Sequence, residues 1–316
     1  MGQREFCFLL IVAAAALPAY AQHAGNPVSI PDFSGAWSHP SFPGFEPPAS
    51  GAGPVRNTMR RPQLTDADGR ALPAINNIMV SDFGKLVGDT SNPILKPNAA
   101  EIVGQHGELM LHAGGYPTPT TQCWPEPLPY IFQSVAVQML QLPGKIVFLY
   151  PNDHQVRTVR LNAQHPASVT PSWYGDSIGH YEGDALVIDT VGVKIGPFAM
   201  VDWFGTPYSS ALHIVEHYRM IDYEAAKEVF DRDIRENLHL AAADAGPAPD
   251  RAYRGKHLQL EFTVDDSGVF TMPWSATITY RPGIESWREV VCPENILELN
   301  LANRDGAIPS AKTLDF

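Results

Sequence analysis

Residues 173–191 read WYGDSIGHYEGDALVIDTV, and how they are read decides the fold. Gly175 to Gly179 is a formal G-x-S-x-G around Ser177, Glu182-Gly183-Asp184 is a polar turn, and Ala185 to Val191 is a strand-like apolar run. In a nucleophile elbow the serine stands between a buried strand and a helix whose N-terminal N–H groups help hold an oxyanion. Here the preceding chain, HPASVTPSWYGD, has two prolines and no apolar run, and the following chain is turn and strand. The flanks favour β-structure, with Gly175 and Gly179 as turn formers and Ser177 bonding local backbone. A serine hydrolase using Ser177 is kept as an alternative.

Working outward, the same alternation recurs. Val135 to Leu142, Pro143-Gly144 and Ile146 to Tyr150 form a hairpin signal, and Gln155 to Leu161 supplies the next strand. Leu258, Leu260, Phe262 and Val264 alternate with His257, Gln259, Glu261 and Thr263, a period of two that marks a strand with one wet face. Further strands are expected at 212–221, 275–280 and 287–292, and Phe33 to Trp37 opens a first one. Asn98 to His112 reads as a helix, and 223–243 as a helical insertion. Many strands with short polar turns and almost no helical crossover predict a mainly β fold, an antiparallel barrel or sandwich, lipocalin-like by analogy.

The amino-terminal 21 residues carry one basic residue, Arg4, an apolar stretch from Phe6 to Ala16, and Ala19-Tyr20-Ala21. That pattern predicts a secretory signal peptide cleaved before Gln22 and an exported, periplasmic or extracellular protein. The apolar stretch falls short of the ~20 residues of a spanning helix. A Pro/Gly-rich irregular segment then covers 22–96, a β-rich domain 97–295 and a tail 296–316. The net charge of −12, with no basic run, argues against nucleic acid or anionic membrane as a partner. Only Cys123 and Cys292 survive processing, and an oxidising compartment pairs them most simply as one disulfide.

His213-Ile214-Val215-Glu216-His217 is a formal H-x-x-E-H, but its β-branched and aromatic surroundings favour a strand. Two histidines four residues apart on a strand are about 13 Å apart and cannot share a metal, so no metal or other cofactor is expected. On that strand Glu216 shares the apolar face of Leu212, Ile214, Tyr218 and Met220, while His213, His217 and Arg219 share the other with Val215. Asp189 poses the same problem between Val187 and Val191. A carboxylate on an apolar face must be paired, hydrogen-bonded or protonated. The bland reading is a buried ion pair. The functional one is an acid/base pocket inside a β-barrel, with Arg157, Arg160, His154 and His180 as partners.

Several segments together resemble a broad group of secreted bacterial proteins: Thr121-Gln122-Cys123-Trp124-Pro125, Pro171 to Ser177, Gly179-His180-Tyr181-Glu182-Gly183-Asp184, Leu186 to Thr190, Glu216-His217-Tyr218-Arg219, Pro273-Trp274 and Cys292-Pro293-Glu294-Asn295. The resemblance implies a shared exported β-rich fold and brings no activity, substrate or cofactor with it. That group usually has arginine where this chain has His217, which further weakens a zinc reading.

The resulting expectation is a small-molecule pocket for a small, largely apolar or aromatic ligand. Glu216, Asp189 and His180 would carry acid/base work, and Arg157, His154, Tyr174, Tyr218 and Trp274 would bind. Such a pocket serves either a cofactor-independent lyase, isomerase or hydrolase, or a non-catalytic extracytoplasmic binding protein.

Overall fold

The computed structural model describes residues 30–62, 79–236, 252–283 and 291–292. The expected leader and its cleavage point, the tail, and most of the strand expected at 287–292 lie outside these residues.

Nine strands close into a barrel: β1 (Gly35–Ser38), β4 (Ala136–Leu142), β5 (Lys145–Leu149), β6 (Val156–Leu161), β7 (Asp176–Glu182), β8 (Ala185–Val191), β9 (His213–Ile221), β10 (His257–Asp265) and β11 (Trp274–Pro282). Each of β4 to β11 pairs with the next in sequence, and β1 closes the ring between β11 and β4. The mainly β, barrel-forming reading is therefore right. The N-terminal segment is irregular over most of its described length, but it supplies the closing strand β1 and a separate antiparallel pair, β2 (Arg60–Pro62) with β3 (Met79–Ser81).

Period-two alternation drives this closure, because it gives each strand one face that must leave water. On β10, Leu258, Leu260, Phe262 and Val264 are fully buried and point inward. Across the ladder they meet Met220, Tyr218, Glu216 and Ile214 of β9. The Pro143-Gly144 hairpin forms as expected, with Gly144 at φ +76°.

One junction departs from the antiparallel expectation. β6 and β7 run parallel and pair through only Arg160↔Ile178 and Leu161↔Gly179. Parallel neighbours need a crossover, and here the 162–175 loop provides it. The sequence hides β7 because its inward positions are Ser177, Gly179 and Tyr181, an unusually polar inner face. Gly175 is a turn residue at φ +65°, and an added Cβ would sit 2.5 Å from the Val191 carbonyl. Gly179 and Ser177, by contrast, lie within the strand rather than in turns.

Two helices complete the described chain. α1 (Pro97–Ala113) has proline at its first position and a left-handed Gly114 at its end, both favourable boundaries. α2 (Tyr223–Glu236) connects β9 to β10 where the helical insertion was expected; positions 237–243 lie outside the described residues. No described helix is long and apolar enough to cross a membrane. A disulfide joins Cys123 to Cys292, as the cysteine count predicts.

Candidate functional site

Glu216 lies in the barrel bore at 0% exposure. Arg157, on β6 and 1% exposed, donates to Glu216 Oε2 at 2.9 Å from Nη1 and to Oε1 at 2.5 Å from Nη2. Its remaining donors reach Ser177 Oγ at 3.1 and 3.2 Å and Thr190 Oγ1 at 2.9 Å, and Tyr218 donates to Glu216 Oε2 at 3.0 Å. Phe148 and Phe132 place their rings 5.4 and 6.0 Å from the guanidinium. Burial alone would lower the Arg157 pKa, but the Glu216 charge outweighs it and holds the pKa above its ordinary value. The structure thus brings together Glu216, Arg157, Tyr218 and Ser177 as one saturated, sealed cluster. Ser177 hydrogen-bonds to Arg157 and Thr190, so it sits among cation and hydroxyl partners rather than beside an imidazole base.

The other two acid/base candidates do not join it. β8 is apolar on both faces, and Leu186, Ile188 and Thr190 take the inward positions, so Asp189 points outward. There it accepts from His165 Nε2 at 2.9 Å and from His213 Nε2 at 3.0 Å. His165 also contacts Asp176 at 2.7 Å, and Arg160 reaches both Asp176 oxygens at 2.8 Å. This chain of alternating charge clasps the 162–175 crossover loop onto the barrel wall. His180 is also on the outer face, exposed and 2.7 Å from Glu182, whose pKa it lowers through that hydrogen bond. The expected convergence of Glu216, Asp189 and His180 on one cavity is thus corrected: one is inside and two are outside, since His180 and Asp189 occupy positions of the same parity on paired strands.

The expected binding residues scatter as well. His154 is exposed in the left-handed β5–β6 turn. Trp274 is core, packed edge-on against Phe262 and Phe270. Tyr174 belongs to a different place, one end of the barrel, where it donates to Gln155 Oε1 at 2.8 Å.

That end holds polar groups that sequence reasoning missed. Gln155 Oε1 also accepts from the Glu126 backbone N–H at 2.7 Å. Thr120 donates to Glu126 Oε1 at 2.7 Å and lies 3.3 Å from the Tyr130 hydroxyl. Burial pushes the Glu126 carboxyl up to about 7. The disulfide anchors this end: the Cys292 N–H donates to Asp153 Oδ1 at 2.7 Å, and Cys123 closes the 3₁₀ turn Thr120–Gln122.

Beside this network lies Asp202, 1% exposed. Its Oδ1 accepts from the Phe204 and Thr206 N–H groups at 2.9 and 3.2 Å, while Oδ2 has no hydrogen-bond partner. The Tyr116 hydroxyl is likewise buried without a partner, while the Thr206 side chain lies against the Asp202 carboxyl and pulls its pKa down. Burial raises Asp202 to about 6, and the Tyr116 phenol is raised by burial and by the Asp202 charge. The His106 ring stacks on Tyr116 at 4.6 Å and 10°. It also lies so close to Gly205 (φ +74°) that any Cβ there would collide with it. Half-buried Met110, Phe198 and Trp203 pack around Tyr116, Tyr130 and Met200, and Trp124 bridges Phe198 to Trp173 edge-on. The one sequence signal for this site was an acid in an apolar setting followed by glycine, Asp202-Trp203-Phe204-Gly205.

Compared with protein families, with curated proteins and with solved structures, the chain finds no match in any of the three.

Proposed function

We propose that this is an exported small-molecule-binding protein whose ligand is held at the Asp202, Thr206 and Tyr116 end of the barrel rather than in the bore. One observation carries the reading: Asp202 Oδ2 and the Tyr116 hydroxyl, buried in one patch, have no hydrogen-bond partner in good geometry, and the Thr206 side chain beside them only partly offsets the burial of Asp202. Leaving such a group unsatisfied costs about 1–3 kcal/mol, so a site that holds two is poised to gain from a polar guest. The aromatic and methionine surround suits an apolar body, and the free atoms suit a hydroxyl, which accepts from Tyr116 and donates to Asp202.

The raised pKa values of Asp202 and Glu126 favour a second reading, acid/base catalysis, because a carboxyl that titrates near neutrality can both give and take a proton. On that reading Asp202 takes the general-acid/base role expected for Glu216, which is locked to Arg157.

Phenol and its isostere toluene are the test ligands. Calorimetric titration should show phenol binding about tenfold more tightly than toluene, the value of one hydrogen bond to a buried partner. Asp202→Asn with Tyr116→Phe should remove that preference. Equal binding of the two ligands, or an undiminished preference in the double variant, would sink the proposal. Turnover of a hydroxylated substrate lost in Asp202→Asn, with binding kept, would select the enzymatic reading.

A further inference from the structure

A second site lies in the barrel wall. β1 ends at Ser38, so it pairs with β11 only at Pro282 and Arg281. Below that point the chain from His39 to Glu46 runs along β11 as a strap and rejoins it at Glu46↔Thr277. The interval between strap and strand is a cleft that opens to solvent, about 340 Å³ when its open mouth is counted. Phe132 and Gln133 of the 3₁₀ turn Tyr130–Gln133 line it, with Phe42, Phe45 and Ile278 among the apolar walls and Val229 contributed by α2.

Gln133 is the unusual member. It is 5% exposed, and neither its Nε2 nor its Oε1 has a hydrogen-bond partner. Whichever way the amide is turned, one buried donor and one buried acceptor stand side by side without use. Their complement is a group that offers an acceptor and a donor at the same spacing: a lactam, a primary amide or a protonated carboxylic acid. The surrounding charge decides among these. Glu46 lines the cleft, and burial raises its pKa against the opposing pull of Arg232, with which it forms an ion pair. Arg232 is already engaged there, bonding Glu236 at 2.6 Å and covering the Phe42 ring at 4.3 Å. An anionic ligand would meet a carboxylate whose counter-charge is in use, so a neutral amide is favoured.

We infer that the cleft between the strap and β11 binds a neutral aromatic molecule carrying an amide, with Gln133 as its hydrogen-bonding partner and Phe42, Phe45 and Phe132 against its ring. The site is separate from the Asp202 patch, although the same 3₁₀ turn carries Tyr130 at one end and Gln133 at the other. It is also shut off from the bore: the Phe132 ring lies between, 5.2 Å from Phe262 and 6.0 Å from the Arg157 guanidinium.

Benzamide, acetophenone and benzoate separate the possibilities, because they present donor plus acceptor, acceptor alone, and an anion on the same ring. Calorimetry on the full chain should find benzamide bound at least tenfold more tightly than either of the others. Gln133→Leu should lower benzamide affinity to that of acetophenone while the melting temperature stays level or rises, since two unsatisfied buried atoms are removed. In the native protein, benzamide should also shift the Gln133 side-chain NH₂ resonances, a readout that does not depend on a variant folding. Equal affinity for benzamide and acetophenone, no benzamide binding at millimolar concentration, or an unshifted Gln133 amide would each overturn the inference. So would a high-resolution structure in which ordered water satisfies Gln133 and benzamide does not displace it.

Discussion

Removing one half of the Arg157–Glu216 pair should be far worse than removing both. Glu216→Leu leaves a guanidinium at 1% exposure, ringed by Phe132 and Phe148, with neutral hydroxyls, those of Ser177, Thr190 and Tyr150, as acceptors in place of the carboxylate. Stranding a buried charge in this way typically costs about 3–5 kcal/mol. For the 316-residue chain, unfolding entropy near 2.1 cal/mol/K per residue makes 1 kcal/mol worth about 1.5 °C, so the melting temperature should fall by about 4–8 °C. Arg157→Met alone should cost a comparable amount, because it strands Glu216 with Tyr218 as its remaining donor. The double variant Arg157→Met with Glu216→Leu should recover most of that loss, since apolar side chains of similar volume avoid the desolvation penalty of both ions. Calorimetric melting of the four proteins closes the cycle. An unchanged or raised melting temperature in Glu216→Leu would refute the account, because it is the behaviour of a strained functional carboxylate rather than of a satisfied ion pair.

The clasp on the crossover loop should depend on pH with a defined window. Burial opposes the charge on His165, but hydrogen bonds to Asp176 and Asp189 outweigh it and raise its pKa. Asp176 is likewise lowered by His165 and Arg160 against its own burial. The His165 contribution is therefore complete below the unfolded histidine value near 6.5 and is lost as pH rises through the raised folded value. The Asp176 contribution is present above about 3.9 and is lost as pH falls through its lowered folded value. Proteolysis within 162–175 should be slowest between about pH 4 and 6.5, and a flat profile would contradict the clasp. Gly205→Ala should cost more than about 2 kcal/mol, because it combines left-handed backbone strain with a collision against the His106 ring. Urea unfolding measures that loss, and a loss below 1 kcal/mol would mean that the stack on Tyr116 is dispensable. Asp202→Asn should remove a destabilisation of roughly 3 kcal/mol that otherwise develops as pH rises from about 4 to 6, where the folded protein holds a proton that the unfolded chain has released. Melting temperatures at pH 4 and pH 7 test this, and a variant with the native pH dependence would exclude Asp202 as its source.

Alternation in β9 and β10, the Pro-Gly hairpin and the pair Cys123 and Cys292 were enough to read a disulfide-linked, mainly β fold from the chain, with barrel and sandwich both open. Local periodicity tells which residues share a face, and on β9 it correctly set Glu216 with Ile214 and Tyr218, and His213 with His217. It cannot tell which face is inside when both are apolar, and for that reason Asp189, between Val187 and Val191, was expected inward and stands outward. Nor can it find β7, whose inner positions are Ser177, Gly179 and Tyr181: Ser177 serves the Arg157 guanidinium of the neighbouring strand and Tyr181 accepts from Gln141, contacts that local periodicity does not reveal. The Asp202 patch was least legible of all: His106, Tyr116, Glu126 and Asp202 come from a helix and three loops that only the closed barrel brings to one end. Sequence alone sets the strand pattern, because burying one face of an alternating strand is a local requirement. Which acids are paired, titrating or left with an unused oxygen depends on what the rest of the chain packs around them, and that is decided by the tertiary structure.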